Sequence, residues 1–283
     1  MEAQFQSSDN HYNLMIQLKS VGPKLVPFFK TVAIYFVVFI PVDRPTLVAA
    51  ALKCLPIISL VVFVLLHGMS LHDEYAYSRR ILIGLGLSCI GDVLLIWPSY
   101  FVHGMIAFGA AQIMYTAAFG FRPINAPLGA VLYLLTASGV YILMPGLSGV
   151  LIAGVPIYST LLITMAWRAM ARVQLFEELW TWTKLCSCVG AFFFVISDSL
   201  IGFHQFYHPI PNSQALIMLT YYAAQLGISL SVVDCKASYQ RTEREKAEEA
   251  ARIAEEKNAL RDAMDAKVNL ATPMSPVSVG GRG

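Results

Sequence analysis

The sequence predicts an all-α membrane protein, a bundle of eight transmembrane helices. Hydrophobic residues make up 57% of its 283 residues and charged residues only 13%, which is too apolar for an ordinary soluble domain. Mostly apolar runs of about 17–22 residues, long enough to cross a bilayer as a helix, recur along the chain. Eight such runs lie at about 26–42, 46–66, 81–97, 101–121, 126–144, 149–167, 184–203 and 214–235.

The polar segment 1–24 precedes the first run. It has no apolar core between a basic start and a small-residue cleavage site, so we expect no cleavable signal peptide and a first span that directs its own insertion. The connector between the first two spans is only about Asp43 to Pro45. Pro41 and Pro45 favour a tight turn there.

Lysine and arginine residues between the spans gather on alternate sides, as they do when one side is cytoplasmic. A missed or extra span would scramble this alternation, so it favours eight spans with both termini in the cytoplasm. One side has only Arg44. The other side has Lys19, Lys24, Arg79, Arg80, Arg122, Arg168, Arg172, Lys184, Lys236, Arg241, Arg244 and Lys246.

A charged tail, residues 236–283, follows the membrane domain of residues 25–235. Its first part is rich in alanine and charged residues and favours a helix, and its end is rich in Pro, Gly and Ser. We interpret it as a solvated helix that frays into disorder. The alternative is a weak coiled-coil contact through Ile253, Leu260 and Met264.

The composition also excludes some functions. The formal net charge is only +2, and nothing in the sequence predicts binding to nucleic acid. The five cysteines are an odd number and lie within or at the end of apolar runs, which argues against a disulfide framework. No motif indicates a cofactor.

Two aspartates stand inside apolar runs. Asp92 is the only charged residue from Ile81 to Trp97, and Asp198 is the only one in the stretch 192–203. A bare carboxylate in hydrocarbon costs on the order of a few kcal/mol, so it normally faces a bundle interior, pairs with another group or has a function. Both spans run outward if the N-terminus is cytoplasmic, which places both aspartates in the outer half of the membrane. The sequence therefore predicts a buried acidic site.

Other polar residues are expected near the same depth. They are Lys53, Gln112, Tyr115, Tyr158, Tyr221, Tyr222 and Gln225. Helical spacing puts Gly84, Ser88 and Asp92 on one face, and small residues on that face allow the close packing expected of an inward-facing surface.

These groups also have structural interpretations. A buried aspartate can simply accept hydrogen bonds from neighbouring Tyr, Ser or Gln side chains. Lys53 can neutralise a carboxylate or bind substrate, and glutamines commonly join helices by hydrogen bonds. His103, His204 and His208 are expected at the outer membrane interface. No spacing resembles a zinc motif, so we expect no metal.

Two neighbouring buried carboxyl groups can divide an acid–base reaction. Burial and a second nearby carboxylate both favour the protonated form of one member, so that one acts as an acid and its partner as a base. Glycoside hydrolysis uses this division. A vinyl ether breaks through a related cation, formed by protonation at carbon and followed by water addition.

Five stretches resemble one known family. They are KCLPI from Lys53, GDVLLIW from Gly91, FVHGMIAFGAAQIMYTAAFG from Phe101, SDSLIGF from Ser197 and YYAAQLGISLS from Tyr221. Together they resemble the YhhN-like lysoplasmalogenase family of eight-span membrane proteins, over roughly residues 25–235. Gln112 occupies a position where His is common in the family, which argues against an essential proton transfer there.

The resemblance implies hydrolysis of the vinyl ether of lysoplasmalogens in the endoplasmic reticulum membrane. The products would be a fatty aldehyde and glycerophosphocholine or glycerophosphoethanolamine. It also implies that Asp92 and Asp198 carry the activity, and we expect them to divide the acid and water-activating roles. Lys53 is then a candidate for binding the lipid phosphate. The candidates for orienting the carboxyl groups are Tyr158, Tyr221, Tyr222 and Gln225.

Two rival hypotheses remain. A transporter or lipid-binding membrane protein would use the aspartates as proton or cation sites, although the sequence shows neither an inverted repeat nor paired broken helices. A metal-dependent lipid hydrolase would use Asp92, Asp198 and the outer histidines. The expected partners are a lysophospholipid substrate and the lipid bilayer, and the sequence gives no indication of oligomeric state.

Overall fold

The computed structural model describes residues 21–41, 45–67, 75–173, 182–233, 247–248, 250–255 and 257–258. All regular secondary structure in these residues is helical, which confirms the all-α class. The chain divides into two compact units after Cys235. Residues 1–20 and 42–44 and most of the predicted tail lie outside the described residues, so the predicted domain boundaries and the turn at Asp43 stay predictions.

The first unit contains eight long helices among its described residues, and each overlaps one of the predicted runs. They are α1 (Val21–Val38), α2 (Leu47–Leu66), α3 (Ala76–Leu94), α4 (Phe101–Phe119), α5 (Ala126–Leu143), α6 (Leu151–Ala171), α7 (Trp182–Phe206) and α8 (Ser213–Leu230). In the second unit, the described residues between 247 and 258 are helical and exposed.

Six of these helices are long and apolar enough to cross a membrane, namely α1, α2, α4, α5, α6 and α7. The chain is therefore a multi-pass membrane protein. Helices α3 and α8 fall outside this set because they carry several polar residues, among them Arg79, Arg80 and Asp92 on α3 and Gln214 and Gln225 on α8. The number of spans, eight, stays a prediction.

Local sequence signals explain several helix ends. The Thr46 side chain accepts a hydrogen bond from the backbone N–H of Ala49 at 3.1 Å and caps the start of α2. The Asn125 side chain accepts one from Leu128 at 3.2 Å and caps α5. Both satisfy a backbone donor that the first turn of a helix leaves unpaired. Helix α4 ends at Gly120, whose φ of 74° suits glycine.

The most extensive helix contacts are between α3 and α4 and between α7 and α8. Gly190 of α7 and Gly227 of α8 face each other at the second crossing. A Cβ atom at Gly190 would lie 2.7 Å from the carbonyl oxygen of Ala224, and one at Gly227 would lie 2.7 Å from that of Cys186. The two backbones touch there because neither residue has a side chain.

Arg168 belongs to α6 and not to the connection after the sixth span, where the sequence placed it. The helix continues to Ala171, and the Arg168 side chain is fully buried. Its Nε donates to the carbonyl of Gly120 at 2.6 Å and its Nη2 to that of Pro123 at 2.8 Å. The guanidinium thus binds carbonyl groups of the segment that follows α4, and these charge-assisted hydrogen bonds offset the burial of its charge.

Candidate functional site

Asp92 lies on α3 in an ion pair with Lys53 of α2. The Lys53 Nζ is 3.2 Å from Asp92 Oδ1, and the Tyr221 hydroxyl of α8 donates to Oδ2 at 2.6 Å. The Asp92 side chain is only 1% exposed, whereas that of Lys53 is 14% exposed. Gly84 and Ser88, on the same face of α3, are buried as well. Three helices therefore converge on one carboxylate that has both a cation and a phenol as partners.

Asp198 lies on α7 and has neutral partners. The Tyr158 hydroxyl of α6 donates to its Oδ2 at 2.5 Å, and Gln112 Nε2 of α4 donates to the same oxygen at 3.3 Å. Among the described residues Asp198 forms no ion pair. The two aspartates thus occupy different environments, because only Asp92 has an adjacent cation.

The remaining predicted site residues bind elsewhere in the same region. The Tyr222 hydroxyl donates to the backbone carbonyl of Lys53 at 2.9 Å, so it holds the backbone of the ion-paired residue. The Tyr115 hydroxyl donates to Gln225 Oε1 at 2.9 Å and lies 3.4 Å from Ser88 Oγ. The structure therefore brings Lys53 and Tyr221 to Asp92, and Tyr158 and Gln112 to Asp198.

Three aromatic rings join α7, which carries Asp198, to α8, which carries the tyrosine that binds Asp92. Phe108 of α4, Phe194 of α7 and Tyr221 of α8 form mutual edge-to-face contacts, with ring centroids 5.8–6.3 Å apart. Phe194 is fully buried and the other two are nearly so. Edge-to-face ring pairs add stabilising free energy to that of burying the apolar surface of the rings, and they favour one fixed arrangement of the rings. The Tyr221 ring that donates to Asp92 is therefore held by packing on two sides.

Asp198 and Tyr158 line a cavity of about 500 Å³, called the apolar cavity below. Its other walls come mainly from aliphatic and aromatic side chains of α4, α5, α6 and α7, such as Met105, Leu135 and Phe203. The volume lies within the ~300–1,000 Å³ typical of small-molecule sites. Asp198 thus adjoins a space that suits an acyl or alkenyl chain.

Lys53 lines a second cavity of about 350 Å³, called the polar cavity below. Most of its lining residues are apolar, and polar side chains from α1, α7 and α8 complete its walls, namely Tyr35, His204, Gln205, Ser213 and Gln214. Sequence reasoning missed Gln214 and Tyr35 as site residues, and it placed His204 only at the interface. Gln214 stands next to a helix start, where a polar residue is ordinary, so the sequence carried little signal for it.

Three buried polar atoms on α4 and α8 have no hydrogen-bond partner within the described part of the chain. They are Gln112 Oε1, Gln225 Nε2 and Ser229 Oγ. Buried polar atoms usually have a partner, so these residues retain hydrogen-bonding capacity beyond the contacts described above.

His204 and His208 take part in local hydrogen bonds, and the His103 ring contacts that of Tyr100. His204 Nδ1 accepts from the Ile210 N–H at 2.9 Å, and its Nε2 lies 3.3 Å from Ser213 Oγ. His208 Nδ1 lies 2.9 Å from the carbonyl of Pro209. Over the ranges that the structure describes, no three His, Cys, Asp or Glu side chains group as metal ligands.

Similarity to known proteins covers most of the membrane unit. The chain is 43% identical over 221 residues to the Bos taurus protein named lysoplasmalogenase TMEM86A, which covers 77% of this chain and 92% of that protein. It is 42% identical to the Homo sapiens protein of the same name, with the same coverage. It is 39% identical over 213 residues to the Sus scrofa lysoplasmalogenase TMEM86B, which covers 75% of this chain and 87% of that protein.

No solved structure matches the chain. Residues 48–232 match the YhhN family, a range that contains both aspartates, Lys53 and the tyrosines that bind them. With this match and relatives of 39–43% identity over three quarters of its length, the chain belongs to the YhhN family.

Proposed function

We propose that this protein is a lysoplasmalogenase. It hydrolyses the vinyl ether of a lysoplasmalogen to a fatty aldehyde and glycerophosphocholine or glycerophosphoethanolamine. Relatives that carry this name support the reaction class. The observation that carries the proposal is the position of Asp198, whose carboxyl group adjoins an apolar cavity and is oriented by Tyr158 and Gln112.

Asp198 is the proposed general acid. Both of its hydrogen bonds end on Oδ2, so Oδ1 can carry the proton. The lack of an ion pair in the described structure and the apolar walls favour a protonated carboxyl, because burial disfavours its charged form. A proton donor in this position reaches the carbon–carbon double bond of an alkenyl chain that occupies the apolar cavity.

Asp92 is the proposed partner carboxylate. Lys53 supplies a compensating charge at 3.2 Å, which favours the ionised form of a carboxyl, and Tyr221 donates a hydrogen bond to the other oxygen at 2.6 Å. An ionised Asp92 stabilises positive charge nearby and accepts a proton from the attacking water. The two aspartates would thus divide the work as the carboxyl groups of a glycosidase do.

The reaction balances with water as the only co-reactant. Asp198 transfers a proton to the alkenyl carbon farther from the ether oxygen, which leaves an oxocarbenium-like centre at the adjacent carbon. Water adds to that centre and loses a proton toward Asp92, giving a hemiacetal. The hemiacetal collapses to the aldehyde while the glycerol oxygen takes up a proton. Proton return to Asp198 completes the cycle.

The location of the enzyme is part of the same proposal. A lysophospholipid enters from the lipid phase, which fits a site built inside a multi-pass bundle. The placement of basic residues favours cytoplasmic termini, and the family resemblance favours the endoplasmic reticulum membrane.

The test is release of fatty aldehyde from a defined lysoplasmalogen by the purified protein in detergent. We expect Asp198→Asn and Asp92→Asn each to lower kcat about 10²–10⁴-fold, the usual contribution of general acid–base catalysis. The exposed Tyr207→Phe variant serves as a matched control and should keep wild-type turnover. An ester-linked lysophospholipid tests whether cleavage is specific for the vinyl ether.

Near-normal turnover by both aspartate variants would refute the assigned roles. A folded wild-type protein that releases no aldehyde would refute the proposed reaction. In that case, movement of the lipid across sealed vesicles without cleavage would indicate a transporter.

A further inference from the structure

The apolar and polar cavities are neighbours. Leu95, Phe101 and Ile201 line both of them. One molecule that extends past these three residues would therefore meet Asp198 in the first cavity and Lys53 in the second. A lysophospholipid has this kind of shape, because a long chain and a charged headgroup are joined by a short glycerol backbone.

The polar cavity has the chemistry of an anion site. Lys53 supplies its cation, and no aspartate or glutamate is among the described residues that line it. An ammonium group has three N–H donors, and the contact with Asp92 engages one of them. The remaining donors can reach a ligand because the Lys53 side chain is 14% exposed. Ser213 and Gln214 lie in the same wall, where Gln214 Nε2 donates to the Tyr35 hydroxyl at 3.3 Å and to the Ile40 carbonyl at 2.9 Å, and Ser213 Oγ lies 3.3 Å from His204 Nε2.

The volumes fit a division between chain and headgroup. The larger, apolar cavity of about 500 Å³ suits hydrocarbon, and the polar cavity of about 350 Å³ suits a compact hydrogen-bonding group. In a lysoplasmalogen only the glycerol carbons separate the vinyl ether from the phosphate. The scissile bond would then lie near the shared wall, between Asp198 and the Lys53–Asp92 pair.

We propose that the polar cavity binds the phosphate-bearing headgroup of the lysophospholipid, with Lys53 as its phosphate ligand, while the alkenyl chain occupies the apolar cavity. This inference rests on the proposed function and adds a specificity site to it. It also gives Lys53 two simultaneous partners, the Asp92 carboxylate and the substrate phosphate.

The experiment compares two substrates by aldehyde release. The phosphate probe is an alkenylglycerol phosphate, and the neutral probe is the same alkenylglycerol without its phosphate. Gln205 lines the polar cavity and is absent from the proposed chemistry, so Gln205→Glu adds a negative charge there with little change of shape. We expect this variant to raise KM for the phosphate probe about tenfold through charge repulsion, while kcat and the neutral probe's KM stay unchanged. Gln205→Met is the matched uncharged control and should raise KM for the phosphate probe less than Gln205→Glu does, so the difference between the two variants reports the effect of the added charge.

Lys53→Met provides a second variant. It should lower kcat for both probes, because Asp92 loses its counter-charge. It should raise KM only for the phosphate probe, because removing Lys53 and removing the phosphate that it binds have non-additive effects when the two groups are in contact.

Three results would overturn the assignment. Equal KM values for the two probes in the wild type, or equal effects of Gln205→Glu on both, would refute the headgroup site while leaving vinyl ether hydrolysis intact. Strong competition by inorganic phosphate that Gln205→Glu abolishes would assign the cavity to a free anion. Cleavage of neither probe by the folded wild type would refute the proposed function and this inference with it.

Discussion

Removal of the Lys53 ammonium should destabilise the protein far more than removal of the charge on its partner, Asp92. In Lys53→Met, Asp92 keeps only the Tyr221 hydrogen bond and remains 1% exposed. Breaking a buried ion pair from one side costs about 3–5 kcal/mol, because the other charge is left uncompensated. We take ~3 kcal/mol, the lower end, because Lys53 adjoins a cavity. A loss of that size lowers Tm by roughly 6–12 °C in a unit of this length.

The reverse variant should be milder. Asp92→Asn leaves Lys53 charged, but its ammonium faces the polar cavity and can be hydrated there. The double variant Lys53→Met/Asp92→Asn should recover most of the lost Tm, because it leaves no unpaired charge.

Thermal unfolding of the purified protein in detergent measures all three variants. Lys30→Met, which removes an exposed lysine of α1, is the control and should change the free energy of unfolding by less than ~0.5 kcal/mol. If Lys53→Met behaved like Lys30→Met, the pair would have the small effect of an exposed salt bridge, and Asp92 would not be held as described.

Three further predictions concern the site and its packing. Tyr158→Phe removes the 2.5 Å hydrogen bond to Asp198 and should lower kcat about 10–100-fold, the equivalent of ~1.5–3 kcal/mol for a bond to a charged or reacting group. Gly227→Ala places a Cβ atom 2.7 Å from a backbone oxygen of α7 and should lower Tm by several degrees. The control Gly86→Ala meets no atom within 4 Å and should leave Tm unchanged or raise it slightly. Similar Tm values for the two variants would refute the backbone contact. Gly139→Leu extends a side chain into the apolar cavity and should raise KM for long-chain substrates more than for short-chain ones; equal effects on both in a chain-length series would argue against that cavity as the chain site.

The helical class and the main polar groups of the site could be predicted from the sequence, because a membrane span is a long apolar run in which any polar residue is easily seen. A carboxylate in an apolar run is expensive enough to stand out, so Asp92 and Asp198 were identified without a structure. Lys53 stood out for the same reason. The spacing of Gly84, Ser88 and Asp92 also predicted a buried face, and the structure buries all three.

The pairing of these groups required the fold. Nothing in the local sequence distinguishes Tyr221, which donates to Asp92, from Tyr222, which donates to the Lys53 carbonyl. Their partners depend on how α8 is rotated against α2 and α3. Arg168 was misplaced for a related reason. Its burial is offset by carbonyl groups of Gly120 and Pro123, which lie more than forty positions earlier in the chain and cannot be assigned to it by a local pattern.

The contact between Gly190 and Gly227 affects the relative positions of the two acids. Gly190 precedes Asp198 by about 12 Å of helix, and Gly227 follows Tyr221 by about 9 Å, at 1.5 Å per residue. Because the two backbones touch there, this crossing sets how closely α7, which carries one acid, approaches α8, which carries the phenol that binds the other carboxylate. The distance between the two acids thus depends on a contact that lies outside the site. A small side chain introduced at Gly190 or Gly227 would change that distance, while every residue around the substrate stayed the same.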